Sequence, residues 1–335
     1  MHYHPRMTIS ARNLLAALSA EHAVSGNELA RALGVTRAAV WKQIEQLREI
    51  GAPIDAAAGS GYRLAWPLEL LDEAHIASAL DPQLRACTRI DLHWQVDSTN
   101  TALQRVAQAR TDTRSVHACL AETQTAGRGR RGRSWQSPLG GNLYFSLLRR
   151  FDQGMGALAG LSLVAGVATI AALEDCGVRD IGLKWPNDVL ARGRKLAGIL
   201  VELGGEFLGP CHAVIGIGIN LHLREAVRKR IDQPAIDLAT LAQGGALPSR
   251  NQLAACLIAR LAEALDCFET RGFAAFRADY ARHDLLDGNA VRVTAGTQTH
   301  TGIAAGVDER GALLVRIGRK IVPYDSAEVS VRAAA

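Results

Sequence analysis

The run Glu122-Thr-Gln-Thr-Ala-Gly-Arg-Gly-Arg-Arg-Gly-Arg-Ser-Trp135 sets Arg128, Arg130, Arg131 and Arg133 among the glycines Gly127, Gly129 and Gly132. The glycines formally satisfy GxGxxG, but a dinucleotide fold would continue into a helix. Here Ser-Trp-Gln-Ser-Pro-Leu-Gly-Gly follows instead, which excludes that reading. Arginines among glycines form a cationic strap that can lay guanidinium forks and bare backbone N–H groups onto phosphate oxygens. A solvated basic run or a nucleic-acid patch are the plainer alternatives. Neither uses Gln124 and Trp135, which suit the polar handle and the aromatic wall of a ligand pocket.

A second run, Gly182-Leu-Lys-Trp-Pro-Asn-Asp-Val-Leu190, precedes Lys195-Leu-Ala-Gly-Ile-Leu-Val-Glu202. Lys184 ends a strand before a Pro-Asn-Asp turn, and 195–202 is a second strand, so the pair reads as a hairpin with a lysine at its rim. Beside the strap, that lysine can neutralise charge building on a phosphate under attack. A third run, Ala213-Val-Ile-Gly-Ile-Gly-Ile-Asn220, is an apolar strand whose glycines admit either a ligand or plain core packing. In Asp97-Ser-Thr-Asn100, at the start of a helix, capping accounts for one polar group, whereas a recognition site accounts for Ser98, Thr99 and Asn100 together. No Ser/His/Asp order, HExxH motif or paired carboxylates support hydrolysis, and no spacing suits a protein-held metal.

The elements that must position these residues fall into zones. Beyond a flexible start, 1–7, residues 8–66 read as a winged helix-turn-helix. Ile9, Leu14, Leu15 and Leu18 suit one helix, Ser25 and Glu28 form a capping box for a second, and Val40, Ile44 and Leu47 stripe a third. Gly59 to Gly61 then turns a wing. On the third helix Arg37, Lys42, Gln43 and Gln46 lie off the apolar stripe, as DNA-contacting side chains would. This unit carries six Lys or Arg against five Asp or Glu, a weak field for non-specific binding, so any operator affinity would lean on dimerisation and base contacts.

A connector, 67–83, leads into an α/β region, 84–285, and then a small β barrel, 286–335, of short alternating runs. The 335 residues, 48% of them hydrophobic, suffice for several cores, and the net charge of +5 permits but does not demand nucleic acid. Six scattered cysteines read as reduced core thiols, which with no signal-peptide pattern points to the cytoplasm. Met155 to Leu173 lacks charge but is rich in small residues, and reads as a buried helix rather than a membrane span.

The runs DSTN, ETQTAGRGRRGRSW, KWPND, KLAGILVEL and GIGIN, in that order, resemble biotin-protein ligases over nearly the whole chain. The front segment TRAAVWKQIEQLR resembles the winged-helix domain of bifunctional members that repress biotin-synthesis genes. The resemblance implies an α+β multidomain chain: an N-terminal winged helix-turn-helix, a central α/β ligase domain with a mixed, class II synthetase-like sheet, and an SH3-like C-terminal barrel. It implies that ATP, with Mg²⁺, and biotin form biotinyl-5′-adenylate, which a lysine of a biotin carboxyl carrier protein then attacks.

By resemblance Ser98, Thr99, Asn100, Gln124, Arg128, Gly129, Arg130 and Lys184 hold biotin. Lys184, Arg128 and Arg130 act on the chemistry, and Arg133, Trp135 and Asn220 serve the adenylate. Operator DNA and an adenylate-bound homodimer are the further partners implied, with no membrane. A lipoate-type ligase, a purely ligand-sensing regulator, and a ligase whose winged helix does not bind DNA are the competing readings.

Overall fold

The computed structural model describes residues 9–57, 59–109, 116–295, 297–325 and 329–333. The segment read as a flexible start, 1–7, lies outside them. The chain opens with α1 (Ile9–Ala16), α2 (Gly26–Leu33) and α3 (Arg37–Glu49), then the antiparallel ribbon of β1 (Ile54–Ala57) and β2 (Gly61–Leu64). The capping box forms: Glu28 N–H donates to Ser25 Oγ at 3.2 Å, and Ser25 N–H donates to Glu28 Oε2 at 2.9 Å. Val40, Ile44 and Leu47 of α3 are buried against Leu14, Leu15 and Leu29. At Gly61 φ is +111°, and a Cβ would stand 2.1 Å from the Val24 carbonyl oxygen, so glycine lets the wing close on the chain before α2.

After α4 (Glu73–Ser78) and α5 (Pro82–Cys87) come β3 (Thr88–Val96), α6 (Thr99–Gln108), β4 (Val116–Gln124), β5 (Asn142–Phe151) and α7 (Leu161–Asp175). Then follow β6 (Ile181–Lys184), β7 (Asp188–Ala191), β8 (Arg194–Gly205), β9 (Cys211–Asn220), α8 (Glu225–Arg228), α9 (Leu238–Ala242), α10 (Arg250–Arg271) and α11 (Arg277–His283). β3 to β9 form one mixed sheet in the order β3-β4-β5-β9-β8-β7-β6. Only β3 and β4, joined across α6, run parallel.

Alternation divides the sheet between two tasks. Phe145, Leu147, Ile215 and Ile217 point into the core built with α7 and α10. Cys119, Leu148 and Val214 face the other way, where α6 covers part of the sheet with Leu103 and Ala107 and leaves the rest for a cavity. Met155–Leu158 is a 3₁₀ turn before α7, whose Leu161, Val164, Ala165 and Ala168 are buried. Among the described residues no helix is long and apolar enough to cross a membrane.

The lysine hairpin is more elaborate than the sequence implied. Lys184 ends β6, but β6 pairs with β7, and only β7 pairs with β8, so an extra strand stands between the two lysine-bearing segments. The stretch 67–83 holds α4 and gives Leu71, Ile76 and Leu80 to the central core. The cysteines form no disulfide; Cys119 and Cys211 are buried, but Cys87 is exposed rather than in a core.

β10 (Ala290–Ala295), β11 (Gln298–Val307), β12 (Leu313–Ile317), β13 (Lys320–Tyr324) and β14 (Val329–Ala333) make the small C-terminal unit, an antiparallel sheet ordered β13-β12-β11-β10-β14. Its Val291, Val293, Leu313 and Val315 join the central core, and Trp185 Nε1 donates to the Gly311 carbonyl at 3.0 Å.

Candidate functional site

A cavity of about 340 Å³ opens on the sheet face that α6 leaves bare. Its floor is glycine. A Cβ on Gly218 would meet the Trp135 ring at 2.4 Å, and one on Gly216 would meet Asn100 Oδ1 at 2.1 Å. On Gly198 a Cβ would come within 3.1 Å of the Trp135 ring. The glycines of β8 and β9 therefore let one indole and one amide lie flat on the strands, which favours the close-approach reading of this run.

At one end the start of α6 supplies polar groups. Ser98 occupies the N-cap position, yet its hydroxyl makes no capping bond, contrary to the capping explanation. Gln124 Oε1 instead accepts from the Thr99 N–H at 2.9 Å, and Ser146 Oγ donates to Asn100 Oδ1 at 2.6 Å and lies within hydrogen-bond distance, 2.7 Å, of the Thr99 hydroxyl. Ser98, Thr99 and Asn100 are all buried, so this network is fixed before any ligand arrives.

The strap is a small hairpin. Trp135 N–H donates to Gly127 O at 2.8 Å, Gly129 N–H donates to Arg133 O at 2.7 Å, and the turn passes through Arg131 and Gly132 at φ +58° and +71°. Arg128 pairs with Glu202 at 2.8 Å, and Arg130 Nη1 donates to Asn187 Oδ1 at 3.3 Å. Burial, with Arg131 close by, lowers the pKa of Arg130 from its ordinary value, the mark of a cation that an added anion would relieve. Tyr144 Oη donates to Pro138 O at 2.7 Å; burial raises its pKa well above the phenol range and keeps it a donor that pins the loop after Trp135.

Arg128, Gly129, Arg130, Arg133, Trp135 and Asn220 all line the cavity with Ser98, Thr99, Asn100 and Gln124. Asn220 Nδ2 donates to Lys195 O at 3.3 Å and to Ile236 O at 3.2 Å, so it fastens the neighbouring loop as well. Lys184 is not in the wall. It lies on the same cross-strand row, since Gly218 faces Gly198, Gly198 faces Asp188, and Asp188 faces Lys184.

The lysine that does line the cavity is Lys195, whose Nζ sits 2.5 Å from Asp188 Oδ1 and 5.6 Å from the centre of the Trp135 ring. Sequence reasoning missed it for a specific reason. Val189 faces Ala197 but Leu190 faces Lys195, so Leu196 is an extra residue that reverses the alternation and turns Lys195 to the face of Gly198. Arg230, Ile231, Asp232, Gln233 and Ala235 of the far wall were missed too, having no motif to mark them. The four DNA-contact candidates lie on α3, with Arg37, Lys42 and Gln46 exposed, Gln43 half-buried, and Trp41 exposed among them. Among the described residues no cluster of three or more His, Cys, Asp or Glu could hold a metal.

Comparison with known proteins decides the family. The model described as Biotin/lipoate A/B protein ligase family matches residues 93–220. The bifunctional ligase/repressor BirA of Salmonella typhimurium is 40% identical over 311 residues, 92% of this chain and 93% of that protein. The chain belongs to the biotin protein ligase family. Further models match as an HTH domain over 11–63 and as the Biotin protein ligase C terminal domain over 288–332. BirA of Bacillus subtilis is 31% identical across 92% of this chain and 94% of its own. Among solved structures, a biotin protein ligase from Aquifex aeolicus in complex with biotin and ATP aligns with TM-score 0.62 and 30% identity, over 73% of this chain and 99% of that one. This chain thus carries an N-terminal HTH unit ahead of its ligase domain.

Proposed function

We propose that the chain joins biotin to AMP and passes biotin to a lysine of a biotin carboxyl carrier protein. One observation carries this reading: a glycine-floored cavity has a fixed polar network at one end and Arg128, Arg130, Arg133 and Lys195 around its wall. Ser98, Thr99, Asn100 and Gln124 hold the polar ring of biotin, and the cations meet its carboxylate and the α-phosphate of ATP. Attack of one anion on another needs that positive field, to which Mg²⁺ arriving with ATP adds. Lys184, two strands from Gly198, meets the developing phosphate charge at the open end of the row. Trp135 lies over the floor and keeps water from the anhydride until the carrier amine attacks.

The test is incubation with ATP, Mg²⁺, biotin and a carrier domain. Pyrophosphate release and a biotinylated lysine are expected; absence of both would overturn the reading, and activity with lipoate in place of biotin would redirect it. A second activity, operator binding by paired winged helices, is supported by the exposed Arg37, Lys42 and Gln46 on α3. The adenylate-bound homodimer presents two such helices to a two-fold site, and carrier competes for the pairing surface. Gel shifts with DNA upstream of biotin genes should show adenylate-dependent binding that falls as carrier is added; DNA binding indifferent to both would remove the regulatory role.

A further inference from the structure

Glu202 has no part in the reading above, yet it joins the two halves of the cavity. It follows Gly198 and Leu200 along β8 on the same face. Its Oε2 accepts from Asn100 Nδ2 and from Arg128 Nη2, each at 2.8 Å. Asn100 has little freedom to turn, because Ser146 Oγ donates to its Oδ1 and Gly216 lies directly beneath. One carboxylate oxygen thus ties the amide of the polar network to the first arginine of the strap. An uncompensated carboxylate here would repel an incoming carboxylate and triphosphate, and Arg128 cancels it.

We propose that Glu202 is a positioning residue: it anchors the root of the arginine strap to the Asn100 amide, so that polar recognition and closure are set by one ion pair. The kinetic part rests on the biotin-ligase reading; the anchoring part rests on geometry alone. Side chains 26% and 42% exposed leave the pair partly screened, so the effects are moderate.

The test compares wild type with Glu202→Gln, Glu202→Asp, Arg128→Leu and the Glu202→Gln/Arg128→Leu double variant. In ligand-free protein, trypsin is expected to cut after Arg130 to Arg133 about fivefold faster in Glu202→Gln and Arg128→Leu, with cuts elsewhere unchanged. In Glu202→Gln the KM for biotin and the rate of adenylate loss should rise about five- to tenfold while kcat stays within about twofold, and Glu202→Asp should recover part of both. The double variant should be no worse than Arg128→Leu alone.

Unchanged strap cleavage and biotin KM in Glu202→Gln, or additive losses in the double variant, would overturn the anchor. If Glu202→Gln does not fold, Arg128→Leu decides by the same cleavage. A wild type that makes no adenylate sinks the ligase reading, while the trypsin result still judges the anchor.

Discussion

Three glycines set the working surface of this site. Gly216 and Gly218 leave no room for a methyl group beneath Asn100 and Trp135, and Gly198 brings Trp135 to 3.1 Å from the place of its missing Cβ. Gly218→Ala should therefore displace the indole, raising biotin KM and the adenylate dissociation rate about tenfold or more with the melting temperature little changed. Stopped-flow adenylate release checks this, and wild-type release would mean that Trp135 is not the cover. Lys184→Ala and Lys195→Ala should each lower kcat for pyrophosphate release about 100-fold, as expected on removing one group that meets transition-state charge. Arg130→Gly should lower adenylate yield and retention as well. If Lys195→Ala alone is impaired, the catalytic role belongs to the lysine in the cavity wall and not to the one on the outer strand.

At the scale of elements, the loop between strap and β5 binds the N-terminal unit to the central sheet. Leu139, wholly buried, completes the apolar core of the N-terminal unit, and its N–H donates to Ile50 O at 2.9 Å just past α3. On the other side of that loop Tyr144 and Thr123 fasten Pro138 and Ser137 to the central sheet. Leu139→Ala should cost the N-terminal unit about 2–5 kcal/mol through the cavity left behind, read by calorimetry or urea unfolding. An unchanged unfolding profile would show that the site collapses around the smaller side chain. The helices of this unit were legible in sequence because caps and a 3.6-residue stripe are local signals, as Ser25, Glu28 and Val40 illustrate. Leu139 was not, because nothing local marks a leucine whose partners lie some ninety residues earlier.

Across the whole molecule a buried ion pair joins four segments. Arg250 on α10 bonds Glu122 of β4 at 2.7 Å, Asn142 O of β5 at 3.1 Å and Glu69 O at 2.7 Å, and Glu122 also takes the Leu71 N–H at 2.6 Å. With the two side chains 4% and 0% exposed, Arg250→Met would strand a carboxylate in the core. That should destabilise the chain by about 3–5 kcal/mol, whereas the Arg250→Met/Glu122→Leu double variant should recover much of the loss. Equal melting points for the single and double variants would show that the pair does not act as a unit. The N-terminal unit is tied to the same body through the Arg224–Asp55 ion pair, and through Arg12, which donates to Leu71 O and lies over the Trp94 ring.

By itself the sequence determined the order of the three zones, the winged helix, the cationic strap and the glycine-bearing strand. Each depends on residues close in the chain, where caps, alternation and turn chemistry act. Only the tertiary structure decided which lysine enters the cavity, that Glu202 meets both Asn100 and Arg128, and that β7 separates the two lysine strands. The physical reason is register. One bulged residue, Leu196, reverses which side of a strand every earlier side chain faces, and contacts between residues a hundred positions apart follow from sheet pairing that no short stretch of chain encodes.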